Sequence, residues 1–354
     1  VTGTDVERSS TRVRFPGISP RAYEHPADRG ALAVLRAVPG IGPVFKAVAG
    51  AFSERGERLM YLASAIRVGP KQYPLLDQVR LECAATLDLP ETPEVFVRRD
   101  PVPNAMTLGM DKPFIVLTTG LVDLLTVDGL RFAIGHEMGH VLSGHVLYRT
   151  LLFRLIQIQA GLGWMPAGYW ALRAIIAALR EWYRKTELSC DRAGLLCGQD
   201  PAAALRVHVA LAGGMDLSQV DTTAFLVQAK EYEVAEDVRD SVLKLLNTEP
   251  LSHPMAVVRA AELQRWAASA EYRDILAGSY QRREDDDPTS TFTEDIRAAA
   301  KSYKDRVATS ADPLAKVFNE VGEVITGAAG KVWNRFGGGN GKDGGNSGDT
   351  GAGS

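Results

Sequence analysis

Gly135–His145 reads GHEMGHVLSGH, and within it His136, Glu137 and His140 spell HExxH inside a helical pattern. Residues four apart on an α-helix lie on one face, one turn above the other. Two imidazoles so placed can both bind one zinc ion, while Glu137 sits beside them to handle the metal-bound water. The competing reading is a helix whose histidines cap or pack locally. A catalytic zinc site also needs a third protein ligand and an open position for water, so the rest of the chain decides between the two.

One known solution places a third histidine six residues past the second, with a glycine between. Ser143 and Val146 occupy those positions here, so that solution is absent. His145 lies nine residues from His136, about 180° around a continuous helix, and is expected to point away. The other solution is a carboxylate on a later helix. From Val141 to Arg180 there is no Asp or Glu; the first acids are Glu181, Glu187 and Asp191, in EWYRKTELSCDRAGLLCG. Glu187 and Asp191 are four apart and share a face, whereas Glu181 does not. Glu187 as ligand with Asp191 behind it fits a common design, in which a carboxylate accepts the free N–H of a ligating histidine and fixes its tautomer. Glu181 is the next candidate for the third ligand.

Outward from these helices the period changes. EVFVRRD (Glu94–Asp100) and FIVLTTG (Phe114–Gly120) are short and β-branched, with turn chemistry in PNAM and GMDKP between them. SERGERLMYLASAIRV (Ser53–Val68) and YPLLDQVRLECAATLDL (Tyr73–Leu89) carry helical spacing, and helical patterns return from Leu121 to Trp333. Few strands among many helices predicts an α+β fold with a small sheet. The divisions drawn from this pattern are an N-terminal extension with short helices (1–69), a central domain that carries HExxH and the acid-bearing helix (70–270), a helical segment (271–336) and a flexible Gly-rich tail (337–354).

Composition narrows the class. Hydrophobic residues make up 45% of the 354 and charged residues 23%, which excludes wholesale disorder. A net charge of -3 carries no basic excess, so nucleic acid is not an expected partner. Cys83, Cys190 and Cys197 cannot build a disulfide framework, and residues 1–30 show no secretory signal, which together predict a cytoplasmic setting. The apolar run Ala31–Phe52 is interrupted by Arg36, Lys46 and a Pro/Gly-rich centre and is read as two short helices, not a membrane span. EDDDP (Glu284–Pro288) is read as a solvated linker.

HEMGH, then RKTELSCD, then LSHPMAVVRAAEL resembles the HtpX-like zinc metalloproteases, the family that also contains the type I CAAX prenyl proteases. Arg184, Glu187 and Asp191 match the family's RxxExxAD helix, with Cys190 where alanine is usual; Ser252, His253, Pro254 and Arg259 match its third motif. PNAMTLG (Pro103–Gly109) is similar to the family's NAFA strand, with Met106 for phenylalanine and Thr107 for alanine. The resemblance covers roughly Tyr73 to Leu263. It implies a mostly helical zincin-type (gluzincin) fold, one zinc per catalytic domain, and endopeptidase activity on protein or peptide substrates.

On that footing His136, His140 and Glu187 are expected to hold zinc, with Asp191 behind them. Glu137 is the general base, and His253 and Arg259 are candidates for stabilising the oxyanion. Asn104, Ala105, Met106 and Thr107 would form the sheet edge beside the zinc and take up an extended substrate as an added strand. Two alternatives stand beside this: a zinc-containing, holdase-like peptide binder, and a protease kept latent by its own termini. Many relatives carry transmembrane helices, but Leu147–Trp182 holds Arg149, Arg154, Arg173 and Arg180 and reads as a helical hairpin. Its arginines and Trp164, Tyr169 and Trp170 suit either a cover over the cleft or a peripheral membrane contact through 147–182. Oligomeric state is not legible.

Overall fold

The computed structural model describes residues 12–29, 54–161, 166–213, 216–234 and 255–286. Ala31–Phe52, Trp164, His253, Asp287 and Pro288 of EDDDP, and the Gly-rich tail lie outside these residues. Ten helices and four strands carry the described chain: α1 (Glu54–Ser64), β1 (Ile66–Arg67), α2 (Pro74–Thr86), β2 (Glu94–Arg98), β3 (Ala105–Leu108), β4 (Phe114–Thr118), α3 (Thr119–Leu124), α4 (Val127–Leu142), α5 (His145–Gly161), α6 (Pro166–Gly198), α7 (Pro201–Ala212), α8 (Thr222–Val234), α9 (Ala256–Ala267) and α10 (Ala270–Leu276). This is the α+β fold with a small sheet that the sequence predicts.

The sheet has the order β1-β2-β4-β3. β2 and β4 are parallel, whereas β1 and β3 run antiparallel to their neighbours. Alternating side chains on β-branched strands feed two cores. Phe96, Phe114 and Val116 pack with Tyr61 of α1 on one face, with Met106 and Leu108 beside them. Val95, Val97, Ile115, Leu117 and Ala105 face the main core, which they share with α2, α4 and α6. β1 is an addition to the sequence reading, which carried a single helix through to Val68; the chain leaves that helix after Ser64 so that Ile66 and Arg67 can pair with Val97 and Phe96.

α4 begins at Thr126, whose hydroxyl accepts from the Gly129 N–H. Every residue from Gly129 to His140 is buried, which is the behaviour of a helix at the centre of a domain and not at its surface. Glycine makes that depth possible. A Cβ at Gly135 would lie 2.6 Å from Cys197 Cβ, and one at Gly139 would lie 2.7 Å from Ala193 Cβ. The same holds in reverse for Gly194, where a Cβ would meet the Phe132 carbonyl oxygen at 2.7 Å. α4 and α6 therefore approach with almost nothing but backbone between them, and α6 delivers its acids to the histidines of α4.

The described residues before α1 belong to this core. Phe15, Ile18 and Tyr23 are fully buried in it, and Arg12 reaches the Gly198 carbonyl at the end of α6 and Asp128 at the start of α4. Ser19 Oγ donates to the Asp286 carboxylate at 2.8 and 2.9 Å. Asp286 is thus a tether within the EDDDP stretch, not part of a free linker. No helix among the described residues is long and apolar enough to cross a membrane.

Candidate metal centre

His136 and His140 enter the core from one face of α4 and meet Glu187 of α6. His136 Nε2 lies 3.5 Å from Glu187 Oε2, and His140 Nε2 lies 3.3 Å from Glu187 Oε1. All three side chains are buried. The Nδ1 atoms turn outward to other partners: His136 Nδ1 is 3.0 Å from Asp191 Oδ1, and His140 Nδ1 is 3.3 Å from His145 Nδ1. Tyr183 stacks on the His140 ring at 5.9 Å between centroids.

Arg259, from α9, closes the carboxylate side. Its Nε and Nη2 donate to Asp191 at 2.8 and 2.6 Å, and its Nη1 lies 2.9 Å from Glu187 Oε2. Burial by itself would push the Asp191 carboxyl up, but the charge of Arg259, with His208 and His136, holds it well below the usual carboxylate range. Burial likewise works against a charged His136, yet Asp191 and Glu187 outweigh it and raise that imidazole to about 9. At His140 burial wins, and the imidazole falls to about 4. The cluster thus draws positive charge toward the His136–Glu187 side.

Glu137 is buried beside the histidines. Thr107 Oγ1 donates to Glu137 Oε2 at 2.6 Å, and Arg149 Nη1 lies 3.9 Å from the same oxygen. Three buried carboxylates, Glu137, Glu187 and Asp191, thus face two guanidinium groups, Arg149 and Arg259. A divalent cation would take over the positive charge that these carboxylates otherwise draw onto His136, since buried charge is costly until it is paired. Two histidine Nε2 atoms converging on one carboxylate are also the donor set zinc accepts in hydrolytic sites. The residues present fit the metal.

A second donor set overlaps the first. His136, His140 and Cys190 offer ligand atoms that all lie within 4.8 Å of one another. Cys190 Sγ sits 3.5 Å from His145 Nδ1, and burial, together with Glu187, Asp28 and Glu137, pushes its thiol well above the ordinary value. Metals bind the thiolate, not the thiol.

The sequence-predicted residues are placed as follows. His136, Glu137, His140, Glu187, Asp191 and Arg259 come together in one buried cluster, and β3 with Ala105, Met106 and Thr107 runs alongside as the sheet edge, with Asn104 just before it. His253 lies outside the described residues. His145 departs from its expected placement: α4 stops at Leu142, Gly144 turns the chain at φ +68, and His145 opens α5 against His140. The 180° estimate assumed one continuous helix. Arg149, read from sequence only as one charge of the 147–182 hairpin, is 2% exposed and lies against Glu137. Two contributors had no sequence signal: the Thr107 hydroxyl on Glu137, and Asp28, whose Oδ2 lies 3.1 Å from His145 Nε2.

The model of peptidase family M48 matches residues 70–267. The chain is 35% identical to the plastoglobule-localized metallopeptidase 48 of Arabidopsis thaliana chloroplasts, over 74% of this chain and 77% of the relative. It is 23% identical to the protease HtpX homolog 2 of Methanosarcina mazei, over 58% of this chain and 77% of the relative. A protease HtpX homolog of Caldanaerobacter subterraneus is 29% identical over 32% of this chain and 36% of its own length. No solved structure matches. A buried HExxH helix, an acid-bearing partner helix and a family match across both make the chain a metallopeptidase of peptidase family M48.

Proposed function

We propose that the protein is a zinc endopeptidase that cleaves extended or unfolded polypeptide. His136, His140 and Glu187 would hold the zinc, and Glu137 would serve as the general base. The observation that carries this is the convergence of both Nε2 atoms on the Glu187 carboxylate with Glu137 alongside. Glu187 is preferred to Cys190 as third ligand because both Nε2 atoms converge on its carboxylate, whereas Cys190 Sγ lies against His145 Nδ1. Bound zinc supplies a water acidified to a pKa of about 7 and a Lewis acid for the scissile carbonyl.

The chain's own groups do the rest. Glu137 takes the water proton and returns it to the leaving amine, with Thr107 holding its carboxylate in one orientation. Arg259 spans Glu187 and Asp191 and so acts as a positioning residue, its donors being engaged by those carboxylates. Oxyanion stabilisation then falls to His253. β3 offers a substrate strand. The Thr118 N–H donates to the Asn104 carbonyl, so antiparallel alternation turns the main-chain groups of Ala105 and Thr107 away from β4. A peptide adding there would be held mainly by backbone hydrogen bonds, with loose sequence preference. A peptide binder without chemistry would need no oriented base.

Metal analysis with a peptidase assay on an unfolded casein-type substrate tests the reading. Glu137→Gln should keep about one zinc and lose 10²–10⁴-fold in turnover, whereas Glu187→Ala should lose the metal. Full turnover in Glu137→Gln would refute the mechanism, and full zinc in Glu187→Ala would refute the ligand.

A further inference from the structure

The two histidines of α4 are held by different partners. His136 Nδ1 meets Asp191, as the sequence led us to expect. His140 Nδ1 meets His145 Nδ1 at 3.3 Å, and His145 in turn presents Nε2 to Asp28 Oδ2 at 3.1 Å. Asp28 comes from the polar N-terminal segment, which precedes the region matched by the family. Ser189 anchors it: its Oγ donates to Asp28 Oδ2 at 2.6 Å and accepts from the His25 N–H at 3.0 Å. Asp28, His140, His145 and Ser189 are all at most 2% exposed, so water does not substitute for any link.

The protons along this chain are fixed by what each atom can do. A carboxylate accepts, so His145 turns an N–H on Nε2 toward Asp28, and a zinc-ligating His140, which keeps its Nε2 lone pair for the metal, carries its hydrogen on Nδ1. His145 Nδ1, left as a lone pair by that arrangement, accepts from the groups that face it, the His140 Nδ1–H at 3.3 Å and the Cys190 thiol at 3.5 Å. The His140 Nε2 lone pair lies on the side of Glu187. A histidine ligand needs this tautomer, and partners of this kind also set ring orientation and ligand basicity.

We propose that Asp28 is a positioning residue for the metal centre, acting through His145 to fix the tautomer and orientation of His140. The inference rests on the zinc reading above. It assigns residues 12–29 a part in building the site, because the carboxylate at the end of the relay arrives from that segment.

Zinc affinity of the full chain, measured by competition with a chromogenic chelator, provides the test, with the visible absorption of the cobalt-substituted protein as a second readout. Asp28→Asn keeps the shape and removes the charge; it should weaken zinc roughly tenfold and shift the cobalt band. His145→Phe keeps a ring and removes both nitrogens; it should weaken zinc ten- to a hundredfold. The double variant should be no weaker than His145→Phe alone if His145 carries the effect of Asp28, whereas an effect passed through Ser189 of α6 would add to it. Wild-type affinity in a folded Asp28→Asn protein would overturn the proposal, as would losses that multiply in the double variant. Should His145→Phe not fold, the isosteric Asp28→Asn decides, with melting of the metal-free protein showing that it is native. His140→Ala separates the two readings. If it binds zinc as wild type does, the metal centre itself is misassigned; if it loses zinc while Asp28→Asn keeps it, only the relay fails.

Discussion

Thr107 shows how much a single hydroxyl can decide. It replaces the alanine usual in the resembling strand, and its Oγ1 donates to Glu137 Oε2 at 2.6 Å. Thr107→Val keeps the volume and removes the donor. We expect kcat to fall about tenfold, with KM and zinc content unchanged, in keeping with the modest worth of one hydrogen bond to a charged group; steady-state kinetics on a peptide checks it, and an unchanged kcat would contradict it. Glu24 makes a prediction about pH. Burial, then Asp28, raises its carboxyl from 4.5 to about 7, with His145, Ser143 and Arg29 working the other way. A carboxyl raised in the fold holds its proton more tightly there than in the unfolded chain. Its contribution is therefore full below about 4.5 and is lost as pH rises through about 7. Glu24→Gln should raise the melting temperature at pH 8 more than at pH 5, and an equal shift at both would contradict the assignment. At this scale the sequence is legible where chemistry repeats locally. His136, Glu137, His140, Glu187 and Asp191 are all read from spacings of one helical turn. Asp28, Arg149 and the role of His145 are not, because each depends on how the backbone turns after Leu142 or how a distant segment returns.

Between elements, the decisive contact is that of α4 with α6. Glu187 reaches the histidines because Gly139 admits Ala193 and Gly135 admits Cys197 at backbone distance. Gly139→Ala should push the helices apart, costing about 1–3 kcal/mol by overpacking and drawing Glu187 away from His136 and His140. Thermal unfolding and zinc content should fall together; retention of both would show that the close approach is not required. Gly144 is a useful contrast, since a Cβ there meets nothing within 4 Å but the backbone sits at φ +68. β3 yields a second prediction. A proline at Ala105 alters the β3 edge where Ala105 stands opposite Leu117 without removing a donor of the β3–β4 ladder. Ala105→Pro should raise KM severalfold or abolish cleavage without loss of zinc, and an unchanged KM would mean that substrate docks elsewhere. The elements themselves were largely legible. β2 and β4 announce themselves by β-branched runs, and α4 and α6 by their motifs. β1 is only two residues long, too short to leave a period, and emerges from pairing with β2.

For the molecule as a whole, the N-terminal segment and the stretch after α10 act as one clasp. The Ser19 N–H donates to the Gln281 carbonyl at 3.0 Å and the Arg283 N–H to the Gly17 carbonyl at 2.8 Å, while Phe15 meets the Tyr280 ring at 5.8 Å. Residues 1–69 read as an extension because buried Phe15 and Tyr23 stand in polar surroundings without a repeating pattern, and composition does not reveal what they pack against. Removal of residues 1–29 tests the idea of a protease held latent by its N-terminus. That truncation strips Phe15, Tyr23 and Asp28 from the core, so we expect it to lose zinc and activity; a more active product would favour latency.

The clasp also sets an order of events. Its partners stand about as far apart in sequence as the described chain allows, Ser19 with Asp286 and Gly17 with Arg283, and contacts of such separation form late and slowly. During synthesis the HExxH helix leaves the ribosome long before Arg259 of α9 or the residues that lock Ser19. A nascent or interrupted chain therefore carries the histidines of α4 before Arg259, which spans Glu187 and Asp191 in the folded core, has been made.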